Sequence, residues 1–155
     1  GAAMMIRIST LPALEIGGEL FDEDFFAYHE DTDLAWRARL LGLESLYVPQ
    51  ARAIHGRGWQ RERRFEVPAA IRRHSFKNRY LELIKNEAWR PALRDLLPIL
   101  GWEIVRFGFA LIRDPRVLPG YWDAIRLSRR AIAKRGEIRR RVANATAPDG
   151  SLIDL

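Results

Sequence analysis

From Pro68 onward the chain is written in helical periods, and proline is the punctuation. Ala69, Phe76, Tyr80 and Ile84 recur at one-turn and two-turn spacings, which predicts a helix running to about Asn86. Leu93–Arg113 predicts a second helix. Tyr121–Arg141 predicts a third, with Ile125, Ile132 and Ile138 among its apolar positions. Pro91, Pro115 and Pro119 fall between these segments, where a missing N–H and a fixed ring do least harm. About two fifths of the sequence is therefore committed to helices, and whatever else forms must pack on them.

The first half reads differently. Ala2–Ile8 is a short apolar run expected to form a buried strand, and no turn or cap precedes it, as in a chain that starts within an element. Ser9 or Thr10 caps a short helix with Pro12 in its first turn, stopped by Gly17-Gly18. His29–Gly42 is the clearest element: Asp31 or Thr32 is the expected N-cap, and acidic residues crowd the first turn, where the helix dipole favours them. Leu34, Ala38 and Leu41 form one apolar face, and Gly42 suits a left-handed stop. Leu43–Val48 is expected to be a strand ended by Pro49, and Ala51–His55 a second extended piece. Gly56–Glu66, with two glycines and four arginines, reads as a surface loop, and Asn144–Leu155 as a frayed tail. No internal repeat is evident.

Composition narrows the function. A chain of 155 residues, 48% hydrophobic and 30% charged, is globular and long enough for one core or for a piece of a larger domain. It has no cysteine, which excludes disulfides, Cys-ligated zinc and thiol nucleophiles. Residues 1–8 lack the features of a signal peptide, and the longest apolar stretch, Leu96–Ile112, is broken by Glu103 and Arg106. Charge is unevenly placed. Residues 1–50 hold 3 Lys+Arg against 9 Asp+Glu, a net of −6, whereas residues 51–155 hold 23 against 11, a net of +12. Such a split suggests two tasks: metal or proton chemistry for the acidic part, and contact with phosphate in a nucleotide, a nucleic acid or a membrane surface for the basic part.

Several residues could carry chemistry. Carboxylates at a helix start stay ionised, which suits a general base or a metal ligand, and equally suits simple capping. Asp22-Glu23-Asp24 spells a metal-binding triplet, but it lies between Phe21 and Phe25 and reads as structural. His55 ends an extended piece beside a Gly-Arg-Gly loop, a place where a ligand fits, whereas His29 and His74 have no such setting. Trp59 among Arg57, Arg61, Arg63 and Arg64 reads as a lid over a phosphate or as a solvated loop.

Four segments carry a resemblance. GAAMMIR, FDEDFFAYHEDTDLAWRARLLG, LYVPQARAIH and FKNRYLELIKN stand in this order, and nearly at this spacing, in family 2 glycosyltransferases, most closely in the rhamnosyltransferase-like branch that builds cell-envelope polysaccharides. The similarity covers roughly Gly1 to Asn86. It implies an α/β fold, the C-terminal part of a Rossmann-like GT-A nucleotide-sugar transferase, helix-rich and with a C-terminal helical extension. The implied division is 1–66 for the acceptor side of the catalytic domain, 67–143 for the extension, and 144–155 for a flexible tail.

The resemblance also implies roles. Asp31 matches the catalytic base, which takes the acceptor's hydroxyl proton while the nucleoside diphosphate leaves from the opposite face and the sugar inverts. Glu30, Asp33 and Arg37 fall on the substrate-binding side, Glu30 positioning the acceptor and the other two supporting the helix start. His55 matches a metal or diphosphate contact. The implied cofactor is a divalent metal, Mg²⁺ or Mn²⁺, held mostly by a nucleotide-binding half expected before Gly1, without which this chain would transfer no sugar. The implied partners are a nucleotide-sugar donor and a glycan or lipid-linked acceptor. An anionic membrane surface is a further expected partner, and the expected location is the cytoplasm, peripheral to the inner face of the cell membrane. The chain departs from the family pattern where Glu19 and Leu20 separate Gly18 from FDE, since the family places glycine directly before that triplet. The rival readings are a basic module binding nucleic acid or a membrane surface without catalysis, and a degenerate remnant. The dispersed basic residues and the acidic front half weigh against nucleic acid.

Overall fold

The computed structural model describes residues 3–54 and 65–145. His55, the Gly-Arg-Gly loop with Trp59, and most of the expected tail lie outside the described residues. Within them the helices are α1 (Leu11–Leu14), α2 (Glu30–Leu40), α3 (Ala69–Asn86), α4 (Trp89–Arg94), α5 (Leu96–Arg113) and α6 (Pro119–Ala145). α3 and α6 pack along each other and form the axis on which the rest is assembled.

The helix pattern beyond Pro68 holds, with one division. Pro98 sits in the first turn of α5, and its ring would clash with the carbonyl of Arg94 if one helix ran through. The expected helix Leu93–Arg113 is therefore two, broken at Asp95. α6 buries Ala124, Ala131, Ile138 and Ala145, one residue every seventh position, and Val117 just before it extends the series. The larger Ile125 and Ile132 face outward instead. Small residues on this seam let α6 come close to α3. Closest of all is Gly120, where an added Cβ would lie 3.1 Å from Phe76 Cδ1 and 3.2 Å from the Arg73 carbonyl oxygen.

Three buried clusters run along the axis. Leu14, Leu34 and Leu41 gather Ile6, Ala38 and Val142; Phe25, Leu81 and Ala131 gather Ile84 and Leu127; Phe76, Ala110 and Val117 gather Tyr80, Leu118 and Tyr121. The first cluster joins α1 and α2 to the end of α6, so residues before and after the expected boundary at 66–67 share one core. The expected apolar face of α2 is the buried one, and Gly42 takes the left-handed conformation (φ 76°) that ends it. The expected cap is corrected. α2 begins at Glu30 on a left-handed His29, ahead of Asp31 and Thr32.

The expected strands Ala2–Ile8 and Leu43–Val48 form no ladder among the described residues. The pairing present there is an isolated antiparallel bridge, Ile16 with Glu19, closed over Gly17 (φ 63°) and Gly18 (φ 81°). A β-segment satisfies its backbone only against another strand. Leu46 and Tyr47 instead stand exposed.

Gly120→Val should lower stability by about 1–3 kcal/mol, because the Phe76 ring and the Arg73 backbone cannot both retreat. Thermal unfolding should show a midpoint a few degrees lower, at about 2–4 °C per kcal/mol for a chain of this size. An unchanged midpoint would mean that the α3–α6 crossing is looser than described.

Candidate functional site: an acidic loop clamped beside a cleft

The segment between Phe21 and His29 does not hold its own shape. Phe26, Tyr28 and His29 all adopt positive φ (63°, 67° and 69°), a region that costs a side-chain-bearing residue about 1–2 kcal/mol each. α3 supplies the restraint. The buried Asn78 amide donates to the carbonyls of Phe25 (2.9 Å), Ala27 (2.8 Å) and Tyr28 (2.8 Å). The Lys77 ammonium donates to the Asp24 carbonyl and, at 2.6 Å, to Asn78 Oδ1, which fixes the amide's orientation. Burial pulls the Lys77 pKa below the ordinary lysine value, while Asp123, Asp24 and Asp22 pull the other way.

The acidic side chains are clamped in the same way. Lys85 Nζ lies 2.6 Å from Asp22 Oδ2 and 2.8 Å from Asp33 Oδ1, and 4.6 Å from the centre of the Phe25 ring. Lys134, from α6, reaches Glu19 at 2.9 Å, Asp22 at 2.6 Å and Asp24 at 3.3 Å, and Arg130 reaches Asp24 at 2.9 Å. Burial alone would raise the Asp22 carboxyl. Lys85 and Lys134 outweigh it and hold that carboxyl below its ordinary value. At Glu19 burial likewise pushes upward, and Lys134 with the Glu23 N–H outweighs it and holds the carboxyl below its ordinary value.

These clamps decide which expected site residues can meet a substrate. Asp33 is wholly buried, accepting from Asn86 (2.7 Å) and Arg37 Nε (3.1 Å). Arg37 is buried too, donating to the Leu20 carbonyl at 2.7 Å and to that of Leu14. Both are internal braces of the helix start, their charges matched by partners inside the protein. Asp31 and Glu30 differ from them. Asp31 is part-exposed in the first turn, with its Oδ1 accepting the Thr32 N–H at 2.8 Å. Glu30 is half-buried, and its Oε2 is shielded without a hydrogen bond.

His29, given no role by its sequence setting, stands on a cleft wall. Its Nδ1 lies 2.7 Å from Glu82 Oε2. A carboxylate oxygen only accepts, so Nδ1 carries the proton and the pair can orient the imidazole for proton transfer. The cleft, about 860 Å³, lies between α3 and α5 and is lined by His29, Arg72, Arg79, Arg106, Trp102 and Phe109 among others. Arginines and aromatic side chains alternate on its surface, which suits a ligand that is anionic at one end and apolar at the other. Sequence reasoning missed the polar face of α3: Lys77, Asn78, Glu82, Lys85 and Asn86 are all buried. The available signal was two lysine–asparagine pairs, Lys77-Asn78 and Lys85-Asn86, about two turns apart on a helix that otherwise looks solvated.

His55, the expected metal contact, lies outside the described residues. No group of three or more His, Asp or Glu side chains that could hold one occurs among the described residues. The carboxylates of Asp22 and Asp24 are already matched by Lys85, Lys134 and Arg130.

Comparison with curated proteins finds a sugar transferase. Over 96 residues the chain is 33% identical to the N-acetylglucosaminyl-diphospho-decaprenol L-rhamnosyltransferase of Mycobacterium tuberculosis, in strains CDC 1551 / Oshkosh and ATCC 25618 / H37Rv alike. That stretch is 61% of this chain and 29% of the relative, so the chain spans under a third of the length of the curated relatives it matches. No family model matches, and no solved structure matches. The chain thus has a partial glycosyltransferase-like relationship.

Removing one partner of the buried clamp should be severe. Lys85→Met leaves Asp22 and Asp33 without their shared cation and should cost about 3–5 kcal/mol in denaturant unfolding. A loss under 1 kcal/mol would show the clamp to be dispensable. The acid limb has a defined sign. Carboxyls lowered in the folded state contribute stability above their unfolded pKa, near 4, and lose it as pH falls through the folded value. Stability should stay level from about pH 7 to 5 and fall below about pH 4. That fall should be shallower in Lys134→Met, where Glu19 and Asp22 both lose a cation that lowers them. An equally steep fall would place the acid-sensitive groups elsewhere.

Proposed function

We propose that the chain is the acceptor-side part of an inverting sugar transferase of the family 2, GT-A type, working in cell-envelope polysaccharide synthesis. The observation that carries this reading is His29, the residue on which α2 begins, held by Glu82 of α3 on the wall of an arginine-lined, partly apolar cleft, with Glu30 and Asp31 next in the chain. The rhamnosyltransferase relatives act, by their name, on a diphospho-decaprenol-linked sugar. An acceptor of that class is anionic at its diphosphate and apolar along its chain, as the cleft walls are. The aligned stretch is under a third of those relatives, so nucleotide-sugar binding is assigned to polypeptide outside it. In the same reading, the exposed segment Leu43–Val48 becomes a strand by pairing with that polypeptide.

In the proposed reaction an acceptor hydroxyl oxygen bonds to the anomeric carbon of the donor sugar. The bond from that carbon to the diphosphate oxygen breaks, and the nucleoside diphosphate leaves with the electron pair. Asp31 takes the hydroxyl proton. A part-exposed carboxylate at a helix N-terminus is ionised at neutral pH and needs no tuning for this task. One base on one face suits a single displacement with inversion, whereas retention would require a second, nucleophilic group. Glu30 lies one residue away and is the group placed to orient the acceptor, while Asp33 and Arg37 hold the helix start.

In the complete transferase, Asp31→Asn should reduce transfer from nucleotide-linked rhamnose to a polyprenyl-diphosphate sugar by about 10²–10⁴-fold. Donor affinity should be kept. Near-normal turnover of that variant would remove the assignment. A collapse in His29→Gln with Asp31→Asn still active would move the base to the His29–Glu82 pair.

A further inference from the structure

α5 turns its central charges inward. On a surface helix of a water-soluble domain the charged residues face solvent and the apolar ones face the core. In the middle of α5 that order is inverted. Glu103 accepts from Arg79 (3.0 Å) and from the Tyr80 hydroxyl. Arg106, one turn on, lies over the rings of Phe76 and Tyr80, 4.9 Å and 5.6 Å from their centres. Both rings stand on α3, and Arg106 lines the cleft between the two helices.

Arg72, Arg79, Arg106 and Arg113 all line that cleft, and they are not equivalent. Arg72 engages both oxygens of Asp114, at 2.8 Å each, and the Val67 carbonyl. Arg79 is held by Glu103. Arg106 makes ring contacts but no hydrogen bond or ion pair among the described residues, and its neighbour Glu103 is already taken by Arg79 and Tyr80. Arg113 is exposed, two turns further along the same helix, about 10 Å away along the axis, and has no ion pair among the described residues.

A guanidinium partly withdrawn from water and given only ring faces is short of acceptors. The π faces attract its charge from above, but they fill none of its five in-plane N–H directions. Burial pulls the Arg106 pKa below the ordinary arginine value and Arg79 adds to this, while Tyr80, Glu103 and Tyr121 pull the other way. The open edge of the fork matches paired oxygens on phosphorus. A single carboxylate would satisfy one fork. Two forks on one wall call for an anion with oxygens at both ends, which a diphosphate has.

We propose, resting on the reading of this cleft as an acceptor site, that Arg106 with Arg113 forms its diphosphate-binding element, for a free diphosphate or the diphosphate of an apolar ester. The family resemblance puts its metal or diphosphate contact at His55, on a different segment of the chain.

The test is isothermal titration calorimetry of the 155-residue chain at low ionic strength, with inorganic phosphate, inorganic pyrophosphate and farnesyl diphosphate as separate titrants. Pyrophosphate should bind more tightly than phosphate, and Arg106→Gln should weaken it at least about tenfold. Arg106→Lys should weaken it too, because an ammonium lacks the fork. Arg129→Gln removes an exposed arginine of α6 outside the cleft and should leave binding unchanged. Tighter binding of farnesyl diphosphate than of pyrophosphate assigns the site to an ester, and equal affinity to the free anion; in both cases the loss in Arg106→Gln is the expected result. Circular dichroism checks that each variant folds, and where Arg106→Gln does not, the exposed Arg113→Gln should show the loss. No binding of pyrophosphate would overturn the proposal, as would an equal loss in Arg129→Gln. So would undiminished binding in folded Arg106→Gln or, where that variant does not fold, in Arg113→Gln. Such a failure beside an inactive Asp31→Asn transferase removes the anion site and keeps the transferase reading, whereas the expected losses beside a fully active Asp31→Asn enzyme do the reverse.

Discussion

The polar face of α3 is the interaction on which the rest depends. Asn78 carries the carbonyls of a loop whose backbone is held at three unfavourable positive-φ positions, and Lys85 bridges Asp22 in that loop to Asp33 inside α2. Neither partner would keep its geometry alone. The loop lacks regular backbone bonding, and α2 is eleven residues long with its first turn full of negative charge, short of the length at which isolated helices persist. Burying ionised groups is costly, and the cost is offset only where every charge finds several partners. Lys85 meets two carboxylates and a ring face, and Asp33 meets Lys85, Asn86 and Arg37. Position and charge are thus fixed together, which is what a site needs if its working side chains are to be held on a short, irregular loop.

This arrangement gives the uneven charge of the chain a physical meaning that differs from two separate tasks. Much of the negative front is neutralised by much of the positive back: Glu19, Asp22 and Asp24 by Lys134, Asp22 and Asp33 by Lys85, and the Gly17 N–H by Glu137 in the reverse sense. Arg141 closes the far end on the carbonyl of Pro12. The acids that the sequence offers as metal or proton chemistry are, for the most part, the inner half of an electrostatic joint. Asp31 and Glu30 differ from the carboxylates that Lys85 and Lys134 hold: Asp31 is part-exposed and accepts the Thr32 N–H, and Glu30 is half-buried.

What could be read in advance follows from the range of the forces involved. The extents of α2, α3 and α6 were legible because apolar period, glycine and proline act within a few residues, and Pro98 would have placed the break in the fourth and fifth helices had its clash with the Arg94 carbonyl been weighed. The two motifs that carry the family resemblance, one around HEDTD and one around FKNRYLELIKN, are the two halves of the clamp, fifty residues apart in the chain and in contact in space. Their contact was not legible. A lysine or asparagine on a helix reads as solvated unless its partner is known, and the partner here is set by tertiary packing. His29 was passed over for the same reason, since Glu82 lies 53 positions away. The expected strands form no ladder among the described residues because an apolar alternating run specifies only a preference for a sheet, and a sheet exists only when a second strand is at hand.

The inverted α5 connects the joint to the cleft. Arg79 and Tyr80 hold Glu103, and Arg106 rests on Phe76 and Tyr80, so the helix that forms one wall of the cleft is fastened through its charged residues to the same α3 that fastens the acidic loop on the other side. Fastening by polar contacts leaves the apolar residues pointing away from the protein.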